Sequence, residues 1–194
     1  MENQVLDAIF NRRSIRRYTD QPVSSDQLDL ILKAGQAAPS AMNQQPWYFV
    51  AIQRKDMIEQ LASLLTENED PYYNAPLLIV VFADKKAYSP VTDAALAIAN
   101  MMLAAQALQL GTCWIDYSRH VFNHPKFAGL SASLGVPQDY LCVGSLVVGT
   151  PAEQPEAHPV KSETMTVAPW SNSVAAAMTD NAVRRLTPNP MRTG

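Results

Sequence analysis

Apolar residues recur along this chain in two rhythms, helical and extended, which alternate from one end to the other. Val5, Leu6, Ile9 and Phe10 keep helical spacing and predict a short amphipathic helix that ends near Arg12. A second helix is predicted to open at Ser24 or Ser25, because Ser24 and Gln27 have capping-box spacing and Leu28, Ile31 and Leu32 form a stripe behind them. Pro39 closes that helix, and Trp47–Ile52 reads as a strand. Residues 55–66 return to the helical rhythm with Ile58, Leu61, Ala62 and Leu65 on one face. Residues 76–83 form a continuous apolar run, the pattern of a strand buried on both faces. Residues 93–110 predict a long helix, apolar around most of its circumference and therefore central. Gly111–Ile115 and 140–148 read as strands, with a helix over 125–134 between them. This alternation predicts a three-layer α/β/α sandwich in the α+β class.

Composition sharpens that picture. The 194 residues suit one domain, and only 17% are charged, below the typical value of about 25%, whereas 47% are hydrophobic. So little charge favours burial at a subunit interface. A net charge of −3 supplies no general attraction for nucleic acid or anionic lipid. Cys113 and Cys142 sit inside apolar runs and read as buried, reduced thiols. Glu2, Asn3 and Asp7 interrupt any apolar leader, and no apolar run approaches the ~20 residues that span a bilayer, so a soluble, cytoplasmic protein is expected. From Pro151 onward the composition changes, with six of the fourteen prolines in the last 44 residues. Residues 1–150 are read as the core and 151–194 as an arm that leaves it, with an end of low expected order.

Two stretches carry the chemistry. Arg12-Arg13-Ser14-Ile15-Arg16-Arg17 packs four guanidinium groups and a hydroxyl behind the first helix. Guanidinium groups hold phosphate bidentately. The second stretch is Ala38-Pro39-Ser40-Ala41-Met42-Asn43-Gln44-Gln45-Pro46-Trp47. Taken singly, the first is also compatible with a solvated arginine face and the second with a plain helix stop and turn. Together they resemble the opening of the FMN-dependent nitroreductase family, and Leu110-Gly111-Thr112-Cys113-Trp114-Ile115 is a third, looser match. The resemblance spans about residues 3–163.

That resemblance implies an interlocked homodimer with FMN in the interface and residues 151–194 wrapping the partner subunit. Arg12 and Ser14 would hold phosphate oxygens, with Arg13 beside them. Arg16 would lie at the pyrimidine edge, where a cation stabilises the charge that reduction places on the ring. Pro39, Ser40 and Ala41 would cover the dimethylbenzene side from the other subunit, with Asn43 nearby. Ile115, Asp116 and Tyr117 would present backbone groups near flavin N5 and O4. Tyr117 stands where relatives often carry glycine or alanine. Asn68 matches a pyrimidine-contacting asparagine, although a polar turn residue reads equally well. Lys161 matches a phosphate-binding lysine, but Glu163 replaces the arginine that follows it in larger relatives.

The activity implied is ping-pong transfer: NAD(P)H delivers hydride, and a small electron-poor acceptor (nitroaromatic, quinone or activated alkene) takes two electrons. No side-chain acid or base is required, so no catalytic residue is assigned. No Rossmann or Walker phosphate loop appears, so NAD(P)H would be a transient visitor, and nothing distinguishes NADH from NADPH. His120 and His124 lie four apart, but no third ligand completes a metal site and Pro125 breaks the segment. The alternative functions are a flavin-binding protein without turnover, a structural protein that has lost FMN, and a flavin-destroying or dehalogenating relative of the same fold. The last would need a longer lid than residues 82–93 provide.

Overall fold

Residues 77–84 set the architecture, because consecutive side chains of this strand feed two different cores. The computed structural model describes residues 3–66, 69–157, 159 and 164. Four strands, β1 (Trp47–Ile52), β2 (Leu77–Asp84), β3 (Gly111–Ile115) and β4 (Tyr140–Gly149), pair antiparallel in the order β1-β2-β4-β3. On β2, Leu78, Val80 and Phe82 point to one face, and Leu77, Ile79, Val81 and Ala83 to the other. Both faces are covered, which is why the strand reads as an unbroken apolar run.

On the second face lie α2 (Ser25–Gln36) and α4 (Pro90–Ala107), which pack against each other; Ile31, Ala94, Ile98, Met101 and Ala105 are fully buried beneath them. Each large side chain of this kind contributes roughly 1.5–3 kcal/mol on burial. On the opposite face, α3 (Lys55–Ser63) supplies Ile58, Leu61 and Ala62, and α5 (Ser118–Phe122) supplies Phe122. These are the three layers expected. A bulge in β4 opposite Val81 and Phe82 inverts the alternation, so that Cys142 joins the first core whereas Leu146 and Val148, an even number of residues on, join the second.

The helix ends depart from expectation for local reasons. Ser24 accepts from the Gln27 amide and completes the capping box of α2. α4 begins three residues earlier than its apolar pattern, with Pro90 in its first turn, where a missing N–H leaves nothing unpaired. α3 ends at Ser63 rather than 66, because Leu64 and Leu65 bond three residues back and tighten the last turn. The helix expected over 125–134 divides into a 3₁₀ turn, Pro125–Phe127, and α6 (Ala128–Ser133). α5 had no counterpart in the apolar pattern.

The first helix, α1 (Gln4–Asn11), packs on α4 and buries only Ala8. Its apolar stripe faces outward: Val5 and Phe10 are 66% and 68% exposed, and Leu6 and Ile9 are also exposed. The described residues up to 157 group as one compact unit. Asn68, Lys161, Glu163 and the apolar stretch 174–186 lie outside the described residues. No described helix is long and apolar enough to cross a membrane.

Gly111 opens β3 against Ile15, and a Cβ there would meet the Ile15 side chain at 2.7 Å. Ile15 cannot easily withdraw, because its amide donates to the Thr112 carbonyl at 2.9 Å. Gly111→Ala is therefore expected to destabilise the fold by about 1–3 kcal/mol. Urea unfolding of the two proteins side by side measures it; equal midpoints would show that the contact relaxes without cost.

Candidate functional site

The arginine stretch leaves α1 and is laced to the edge of the sheet by isolated bridges. Ser14 bridges Thr112 in parallel, and Tyr18 bridges Pro151 antiparallel. Backbone bonds continue the lacing: the Thr19 amide donates to Thr150 O at 3.0 Å, and the Ala152 amide to Arg17 O at 2.8 Å. The Tyr18 hydroxyl donates to Ile15 O at 2.5 Å. Main-chain bonds thus hold the segment and leave its guanidinium groups for other partners.

Those groups differ in what they do. Arg13 Nη1 donates to Phe10 O and Arg12 O, both at 2.8 Å, which caps the carbonyl end of α1. Among the described residues, Arg12 Nη1 and Arg13 Nε are buried without a hydrogen-bond partner. Buried donors are nearly always paired, so these two fit an anionic group that brings its own acceptors. Ser14 lies beside the Cys113 thiol, and Arg16 is exposed. The Arg16 guanidinium is held even more firmly protonated than usual, by the Cys113 sulfur first and then by a hydrogen bond to Tyr73. Tyr73 and Asn74 both sit at positive φ, 54° and 51°, a left-handed pair of the kind that accumulates at functional sites.

Ile115, Asp116 and Tyr117 close the same edge strand that Ser14 joins at Thr112. Ile115 is buried, Asp116 pairs with Arg119 at 3.0 Å, and Tyr117 is half exposed with its ring against His120. Behind them runs a buried polar chain: Tyr72 OH to Ser118 Oγ at 3.1 Å, Ser118 to Ser145 Oγ at 2.5 Å, and Ser145 Oγ to Ile115 O at 3.4 Å. This chain fixes where β3 ends.

The proline–serine loop lies elsewhere. It precedes β1, which forms the opposite edge of the sheet from β3, three strand spacings or about 14 Å away. The buried Asp93 in the first turn of α4 accepts from the Ala41 amide at 3.1 Å, while its second oxygen has no partner among the described residues. Ser40 Oγ accepts from the Gln45 amide, Asn43 Oδ1 from the Gln45 side chain, and Gln44 Oε1 from the Tyr88 amide. Met42, Asn43 and Gln45 all have positive φ. Pro39 is exposed. One chain therefore gathers Arg12, Ser14 and Arg16 around Thr112 and Cys113, on the strand that ends at Ile115, and leaves Pro39, Ser40, Ala41 and Asn43 at the opposite edge of the sheet.

Comparison with known proteins settles the kinship. The family model described as "Nitroreductase family" matches residues 9–72 and 64–150, most of the chain. The chain belongs to the nitroreductase family. An Archaeoglobus fulgidus relative, provisionally named NADH dehydrogenase/NAD(P)H nitroreductase, is 32% identical over 78% of this chain and 87% of its own. An FMN reductase [NAD(P)H] of Bacillus subtilis is 28% identical over 81% of this chain and 70% of its own. A Bacteroides fragilis nitroreductase solved with bound FMN superposes with a TM-score of 0.81 at 30% identity, over 87% of this chain and all of the other.

Several site residues of this nitroreductase-family chain had escaped sequence reasoning. Tyr73 and Glu153 reach the arginines only through the fold. Asp93 had a visible mark, as the acid that opens an otherwise apolar helix.

Burial pushes the Cys142 thiol from 9.0 to about 12 and the Tyr72 hydroxyl from 10.0 to about 12. Each proton is bound more tightly in the folded state than in the unfolded one. Their contribution to stability is thus whole below pH 9 and is lost as pH climbs toward 12. Urea midpoints should hold near neutrality and fall above pH 9, and Cys142→Ala should flatten that fall. An unchanged slope in the variant would exclude the buried thiol as its source.

Proposed function

We propose that this chain is an FMN-dependent oxidoreductase that takes hydride from NAD(P)H and passes two electrons to nitroaromatics, quinones or activated alkenes in alternating half-reactions. The observation that carries the reading is Arg12 Nη1, buried on a backbone-laced segment with no hydrogen-bond partner among the described residues, a donor suited to a phosphate oxygen. The relatives named for FMN and NAD(P)H supply the identity of the ligand that such a donor would meet. Bound there, FMN would supply the hydride and electron-transfer chemistry, which leaves the protein to bind and orient.

In this reading Arg12 and Ser14 hold the phosphate, with Arg13 fixing the turn beside them. Arg16 provides a permanent positive charge for the pyrimidine edge. Ile115, Asp116 and Tyr117 line the reactive side, with their position set from behind by Tyr72, Ser118 and Ser145. Pro39, Ser40, Ala41 and Asn43 come from a second copy, since their own copy's loop stands at the far edge of the sheet. The outward apolar stripe of α1 supports that assembly, as do exposed Met42, Tyr88 and Val91 around the loop and the start of α4. We extend the proposal to an arm, 151–194, that wraps the partner, and to a cytoplasmic setting.

The purified protein should be yellow. Anaerobic NADH or NADPH should bleach it, and a nitroaromatic should restore the colour. Arg16→Ala is expected to slow bleaching about 10- to 100-fold while FMN stays bound, less than for an enclosed donor because Arg16 is exposed. A colourless protein that takes up no FMN would refute the assignment, and unaltered bleaching in the variant would refute the role of Arg16.

A further inference from the structure

Along the laced segment, main-chain groups of Ile15, Arg17 and Thr19 find backbone partners on β3 or on residues 150–152. The amide of Arg16 does not. It donates instead to a side chain, Glu153 Oε1, at 2.5 Å, across 137 residues of sequence. Glu153 is half-buried, and its charge also bears on the Arg16 guanidinium. A carboxylate beside a cluster meant for anions weakens the local positive potential. Its presence is better explained by the bond it makes, because a charge-assisted bond to an amide is about twice as strong as a neutral one and fixes geometry.

We propose that Glu153 is a positioning residue for Arg16: its carboxylate locks the Arg16 main chain so that the guanidinium projects toward the pyrimidine edge of bound FMN. The inference rests on the flavin reading above and deepens it. Glu153 touches neither cofactor nor substrate in this account. It acts by removing alternatives for a long, exposed side chain whose freedom would otherwise blur a charge needed at one place.

Charge and position can be separated by substitution. Glu153→Gln keeps an acceptor oxygen and loses the charge; Glu153→Ala loses both; Glu153→Asp keeps the charge but withdraws it by one methylene. For each flavin-loaded protein, the affinities for oxidised and reduced FMN are measured, and their ratio reports how well Arg16 meets the reduced ring. Glu153→Gln should match or exceed the wild-type ratio, since a repelling charge is gone. Glu153→Ala and Glu153→Asp should both fall about three- to tenfold below Glu153→Gln, a coupling typical of residues in contact. In an Arg16→Ala background the gap should close. Thermal unfolding of each variant separates a folding defect from a positional one. Equal ratios for the Ala and Gln variants, or a gap that survives without Arg16, would overturn the proposal alone. If Arg16→Ala leaves the ratio unchanged, the flavin role of Arg16 falls, and this inference falls with it.

Discussion

The structure turns on a backbone hydrogen bond at a sheet edge, from the Ile15 amide to Thr112 O at 2.9 Å. An edge strand leaves a row of unpaired main-chain groups, which a sheet must cover or blunt. Here the chain's own Ser14 and Ile15 meet that edge at Thr112, and residues 17–19 go on to pair with residues 150–152. The same bonds that satisfy the edge set the stations of Arg12, Ser14 and Arg16. Close approach is part of the arrangement, since Gly111 leaves room for Ile15 where any Cβ would collide.

Division of labour follows. Main-chain bonds fix the segment, and among the described residues Arg12 Nη1 and Arg13 Nε are buried without a hydrogen-bond partner, as the proposed phosphate contact requires. The core behind is built for rigidity, with a serine–serine–tyrosine chain pinning the last carbonyl of β3 and two apolar layers filling both faces of the sheet. What one chain lacks is a cover. Its proline–serine loop is held by Asp93 at the opposite edge, and the apolar stripe of α1 faces away from its own core. Both features agree with a site completed between two copies.

Much of this was legible in the residues, and the reasons differ by element. Strands 77–84 and 140–149 announce themselves because burial on both faces forces continuous apolar runs. The Ser24 capping box was legible because its two partners are three residues apart. The arginine motif and the proline–serine loop were visible as composition, but their separation across the sheet depends on strand order, which no local pattern encodes. Glu153 lay beyond reach for the same reason, because its bond spans 137 residues. The broken helix over 125–134 was misread as one piece; Pro125 starts a tight turn there with His124 Nδ1 accepting from the Lys126 amide. Asn68 and Lys161 fall outside the described residues and stay expectations.

The central claim is that the laced arginines recognise a phosphate, and it is tested most directly by offering the apoprotein two flavins that differ only there. Fluorescence titration should show FMN binding far more tightly than riboflavin, with that preference collapsing in Arg12→Ala. Equal affinity for the two flavins, or a preference untouched by the loss of Arg12, would contradict the account.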